Sequence, residues 1–155
     1  KYRCLCDIMV FQFIAGMISC IGFAFLFNCP KKAICQSAIA GGLGWIAYAF
    51  CLEYLAVNTV VATLIGTLVL STICEILSHI KKDAMTIFVI PAILPLVPGA
   101  GLYYTLRYLI EGNLELALNK GLATIGCALS IAIGIIVVSS LSRLFLAIVR
   151  KKGKL

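Results

Sequence analysis

PAILPLVPGAGLYY, residues 91–104, lies inside a run apolar enough to cross a membrane, yet it carries three prolines and two glycines where a helix should continue unbroken. The run that contains it, 84–110, exceeds the about 20 residues a helix needs to cross the hydrocarbon, which leaves room for a non-helical insert. A proline at position i cannot donate to the carbonyl at i−4 and crowds it. Pro91, Pro95 and Pro98 therefore release the carbonyls of Ile87, Pro91 and Leu94. Gly99 and Gly101 add dihedrals closed to other residues, and Pro98 suits the first position of a new half-helix. A helix from 84 to Pro95 rises about 18 Å, which sets the interruption near the middle of a ~30 Å core.

Unpaired backbone groups at that depth are tolerated only where protein buries them or where they line a watery cavity. Discontinuous helices at the midplane are where secondary transporters build substrate sites. The amides of Gly99, Ala100, Gly101 and Leu102 would form the positive end of the second half-helix, suited to a carboxylate. A packing kink is the plain alternative for one proline; the clustering of three with two glycines favours a break that lines a pathway.

The rest of the chain supplies the matching frame. Of its 155 residues, 63% are hydrophobic and 12% charged, against roughly 25% charged in soluble domains. The pattern is that of an all-α polytopic membrane protein, a single membrane domain over 1–155. Five apolar runs, about 8–28, 33–52, 56–78, 84–110 and 121–149, each have the length of a span, with the fourth interrupted. Short polar breaks separate them: NCPKK, LEYLAVN, HIKKD and EGNLELALNKG. The first run follows Lys1 and Arg3 as a signal peptide would, but it is as long as a full span and lacks a small-x-small cleavage site, so it reads as a retained helix.

The net charge of +7 could suggest nucleic acid, but the basic residues stand in short groups at span ends rather than on one aromatic-studded face. They read as topology signals. One side collects nine: Lys31, Lys32, Lys81, Lys82, Arg143, Arg150, Lys151, Lys152 and Lys154; the other holds four: Lys1, Arg3, Arg107 and Lys120. By the positive-inside rule the N-terminus lies outside and the C-terminus in the cytoplasm. Most of the eight cysteines (Cys4, Cys6, Cys20, Cys29, Cys35, Cys51, Cys74, Cys127) lie in apolar runs, where cysteine acts as a small hydrophobe.

Three blocks, GFAFLFNCPKKAI (22–34), AIAGGLGWIAY (38–48) and ILPLVPGAGLYYTLRYLIEGN (93–113), together resemble the small membrane subunit of the threonine/serine exporter family. The P-x-x-P-G-x-x-x-Y core, Pro95, Pro98, Gly99 and Tyr103, carries the stronger part of the resemblance. Phe27-Asn28-x-Pro30 carries a weaker part, and Asn28 joins the candidate substrate residues with it. The resemblance implies a five-span inner-membrane subunit working with a larger, partly cytosolic partner, to which it is fused in some relatives. It also implies export of threonine and serine, or of succinate. Both substrate classes carry a carboxylate.

On the third run Thr59, Thr63, Thr67, Ser71 and Glu75 recur every fourth residue, a polar stripe on one helix side. Intramembrane acids usually face a cavity or a partner. Alternatively the hydroxyls bond their own helix carbonyls and Glu75 reaches the interface near Lys81 or Lys82. His79, four residues from Glu75, is placed to share a proton with it. Ser37, Ala38, Ala40, Gly41, Gly42 and Gly44, with Gly126, Ser130 and Gly134, make small-xxx-small pairs for close packing within the chain, against a partner or between copies. Trp45, Tyr48 and Tyr108 suit the interface; Tyr103 and Tyr104 are close enough to the break to meet substrate.

Enzyme chemistry finds no footing. Cys4-x-Cys6 is not a C-x-x-C pair, the one histidine sits at a boundary, and no span holds two aspartates; no metal-ligand spacing or phosphate loop appears, so no cofactor is expected. The expectation is the membrane subunit of a two-component exporter of small carboxylate-bearing metabolites. Its rival is a non-transporting subunit that completes a partner's fold.

Overall fold

The computed structural model describes residues 2–152, with side chains over 9–145 and at Ile148. Lys1 and Lys154 lie outside the described residues, as do the side chains of Arg3, Cys4, Cys6, Arg150, Lys151 and Lys152. Among the described residues the chain is all helix: α1 (Tyr2–Leu26), α2 (Lys31–Glu53), α3 (Thr59–Lys81), α4 (Met85–Ile93) running into a 3-10 turn (Leu94–Leu96), α5 (Gly99–Ile110) and α6 (Leu114–Lys152). Four of these helices are each long and apolar enough to cross a membrane, and the pair on either side of 97–98, bent by 48°, makes a fifth span when counted as one.

Local chemistry sets the ends. Asn28 takes a left-handed φ of 51°, while the amide of Cys29 donates to Ala24 O (2.9 Å) and that of Asn28 to Phe25 O (3.0 Å). This is a Schellman stop. Gly112, at φ 77°, ends α5 the same way, through Asn113 N to Tyr108 O (2.9 Å) and Gly112 N to Leu109 O (3.1 Å).

Two expected boundaries move. The third helix starts at Thr59 rather than 56, because Asn58 caps it in an extended conformation. The expected loop 111–121 is largely helix: α6 begins at Leu114, where Asn113 Oδ1 accepts from the amide of Leu116 at 3.3 Å. Leu-Glu-Leu-Ala-Leu is a strong helix-forming sequence, so Glu115 within it and Lys120 just after it do not interrupt the run.

Small residues bring the helices together. A Cβ on Gly41 of α2 would stand 2.7 Å from Ala92 O of α4; on Gly44, 2.8 Å from Leu70 Cβ of α3; on Gly66, 2.9 Å from Gly44 O. Side chains at these positions would force the helices apart. The core they enclose contains Leu70, Cys74, Phe88, Ala92 and Leu96, all nearly fully buried. The α6 helix lies parallel to α3, with Gly126 against Val60, Gly134 against Thr67 and Ser142 against His79.

That register decides the shape of the second half. The 39 residues of α6 rise about 58 Å, and Gly126 is already level with the start of α3. Residues 114–125 therefore extend past the α2–α3 connection, and α5 runs beside them, Gly101 against Thr124 and Thr105 against Gly121. No residue of α5 is buried.

Candidate functional site

The break is narrower than the prolines suggest. Pro91 sits inside α4, because a proline costs one hydrogen bond and the turn around it is otherwise held by packing of Phe88, Val89 and Ala92. The chain leaves the helix only at Val97, which is extended (φ −62°, ψ 127°). At Pro98 (φ −77°, ψ 58°) it makes an inverse γ-turn, in which Gly99 N donates to Val97 O at 2.8 Å.

Three expectations are corrected here. Pro98 is the N-cap of α5, not its first helical residue, since its carbonyl accepts the first helical bond from Leu102 N at 3.1 Å. Of the four amides expected to be free, those of Gly99 and Leu102 are therefore taken, and Ala100 and Gly101 remain. Neither Gly99 nor Gly101 uses a positive φ. Gly101 is small because Thr124 Oγ1 occupies the space a Cβ would need, while a Cβ on Gly99 would meet nothing within 4 Å.

Gly99 opens instead onto a cavity of about 320 Å³, within the range of small-molecule sites. Its wall is the break itself, Pro95 to Gly101, closed by Trp45 and Tyr48 of α2, Thr59 and Thr63 of α3, and Lys120, Ala123, Thr124 and Cys127 of α6. The rings of Trp45 and Tyr48 stand 5.2 Å apart. Thr63 Oγ donates to Thr59 O (2.8 Å) and Thr124 Oγ to Lys120 O (2.7 Å), leaving hydroxyl oxygen lone pairs as acceptors. The donors for an anion are the amides of Ala100 and Gly101 at the start of α5 and the exposed ammonium of Lys120.

Of the expected substrate residues, Pro95, Pro98, Gly99, Ala100, Gly101 and Thr63 come together here. Thr67 and Ser71 are fully buried below the cavity and do not line it; Thr67 Oγ donates to Thr63 O at 2.8 Å. Tyr103 and Tyr104 stand outside it, 62% and 42% exposed, because α6 takes the Gly101–Thr105 side of α5 and Tyr103 lies about 200° round the helix from Gly101. Asn28 is at the other end of the bundle, occupied with ending α1. Trp45, Tyr48 and Lys120 were legible only as anchors and topology charges, although Lys120, Thr124 and Cys127 do repeat at helical spacing.

A sequence profile for the threonine/serine exporters (Threonine/Serine exporter, ThrE) matches residues 12–141, a span that includes every residue lining the cavity. The chain belongs to the threonine/serine exporter family. It is also similar to an uncharacterized protein of Haemophilus influenzae, 28% identical over 103 residues, which make up 66% of this chain and 34% of that protein. The chain thus matches about a third of that relative's length. No solved structure matches it.

This exporter-family chain holds Glu75 and His79 of α3 apart from the break. Glu75 Oε1 lies 3.3 Å from His79 Nε2, and the same nitrogen is 2.9 Å from Ser142 Oγ of α6. The three border a separate, largely apolar recess between α3 and α6 with Thr72, Ile76 and Phe145.

Proposed function

We propose that this membrane protein is the small subunit of a two-component secondary exporter, and that the cavity at the helix break holds the carboxylate of its substrate, threonine or serine or a dicarboxylate such as succinate. The observation that carries this reading is the meeting of two unpaired amides, Ala100 and Gly101, with Lys120 in one cavity walled by an interrupted helix. Transporters hold carboxylates at the N-termini of broken helices, and here that N-terminus opens on a cavity level with the start of α3. Glu75 and His79 form the proton-coupling pair in this reading, being in contact and close to the basic end of the bundle. Lys31, Lys32, Lys81 and Lys82 share that end, and Arg107 and Lys120 the other, which supports an outside N-terminus and a cytoplasmic C-terminus.

A larger partner subunit, or a second copy, covers the projecting α5 and the start of α6. Leu102, Leu106, Ile110, Leu118 and Leu122 are all more than half exposed there. The same observation favours the rival reading, a subunit that only completes a partner's fold.

Efflux of labelled threonine and labelled succinate from loaded cells separates the two. The chain is expressed alone, with its partner, and with the partner plus Gly99→Leu. Release of one substrate that needs the partner and is abolished by Gly99→Leu, with the complex intact, is the expected result. Loss of the complex together with export points to the structural role, and release unaffected by Gly99→Leu removes the cavity from the pathway.

A further inference from the structure

At the far end of α4 from the break, a cavity of about 610 Å³ opens between the α1–α2 and α3–α4 connections. Lys32 and Gln36 of α2 line it with Lys81 and Asp83, and Ala33, Ile87 and Phe88 form its floor. Among the described residues none of Lys32, Lys81 and Asp83 is in an ion pair. Two helices begin here, α2 at Lys31 and α4 at Met85, and neither has a side chain capping its first amides. Their dipoles therefore add to the two ammonium groups. One turn inward from Ala33, beyond the cavity wall, Ser37 is fully buried and its hydroxyl has no hydrogen-bond partner.

The cavity is aligned with the break. Phe88, 1% exposed, closes its floor, and Leu96, in the wall of the break cavity, is about 12 Å further on, in the 3-10 turn that continues α4. Two turns of one helix separate the two spaces. The charges also differ in kind: the charged residue lining the break cavity is a cation, Lys120, whereas this one places a carboxylate, Asp83, among its cations.

We infer that this cavity is a second substrate station, holding a zwitterionic amino acid with its carboxylate between Lys32 and Lys81 and its ammonium group at Asp83. The inference rests on the exporter reading above and deepens it, assigning a binding site to the opposite end of the pathway. A lipid phosphate would also find the two lysines, but Asp83 opposes a purely anionic headgroup and matches a zwitterion.

The test uses the complete native protein, with its partner, in phosphatidylcholine nanodiscs. Threonine and succinate binding are measured by calorimetry for the wild type, Lys32→Gln with Lys81→Gln, Asp83→Asn and Gly99→Leu, and export is measured in cells for each. All the charges exchanged are exposed, so melting curves should superimpose. Loss of the two lysines is expected to weaken threonine binding about tenfold or more. Asp83→Asn weakens threonine and not succinate, and Gly99→Leu removes the threonine binding at the break and leaves the part that depends on the two lysines within about twofold. Unchanged threonine affinity without the lysines, or no saturable threonine binding by the wild type, overturns the inference. So does loss of co-purified phosphatidylglycerol without loss of threonine binding, which would make the cavity a headgroup site. Export abolished by Gly99→Leu but indifferent to the lysines leaves the break reading standing and this one fallen. Export indifferent to Gly99→Leu, with threonine binding still dependent on the lysines, does the reverse.

Discussion

The packed interior of this helical bundle and its open break are built from the same small residues to opposite purposes. Between α2, α3 and α4, Gly41, Gly44 and Gly66 bring backbones so close that an added Cβ would fall within 3.0 Å of a neighbour. Beyond the break, Gly99 has nothing within 4 Å, and α5 buries none of its residues. A glycine in a membrane helix therefore says little by itself. What it does depends on whether another helix occupies the space its missing side chain leaves.

Substitutions can break this contrast or sharpen it. The largest effect is expected at the packed end: Gly41→Leu, aimed at Ala92 O and Cys20 Sγ, should lower stability by about 3 kcal/mol and the yield of folded protein in membranes. A normal melting temperature would show that α2 and α4 can separate without cost. At the open end Gly99→Leu should shift stability by less than about 0.5 kcal/mol and still abolish export, because the new side chain fills the cavity. Both outcomes together establish that the contrast is functional.

Lys120→Gln is the next in size. It removes the cavity's cation while keeping a polar side chain, and should raise the substrate concentration for half-maximal export about tenfold; an unchanged value would leave recognition to the amides of Ala100 and Gly101. Glu75→Gln should flatten the dependence of efflux on external pH and leave substrate affinity alone, read from rates over a pH series in loaded vesicles. An unchanged profile takes Glu75 and His79 out of coupling. The smallest effect belongs to Tyr103→Ala, whose side chain stands on the far side of α5: export should stay within about twofold, and a larger loss would mean that α5 rotates during transport.

Much of this was legible in the sequence, and the misses share one cause. The spans follow from apolar length, and the break from the crowding of Pro95, Pro98 and Gly99, because those constraints are local. The fate of Pro91 was not, since neighbours held its turn together. The true beginning of α6 was hidden by treating Glu115 and Lys120 as loop residues when their helix continues past the edge of the bundle. Lys120 and Tyr48 belong to the cavity, and Tyr103 does not, for reasons of inter-helix register that no single run of sequence contains.

The shortness of α4 has an electrical consequence. On the exporter reading, with a cavity toward each of its ends, the membrane voltage would fall across the stretch between Phe88 and Leu96, about 12 Å in place of a ~30 Å slab. The field there is about two and a half times steeper than in an unbroken bilayer. A dicarboxylate leaving the cell through that layer gains about 4.6 kcal/mol per 100 mV from an inside-negative potential. On the same reading a zwitterion gains nothing from the potential, and only a companion ion would couple its export to it.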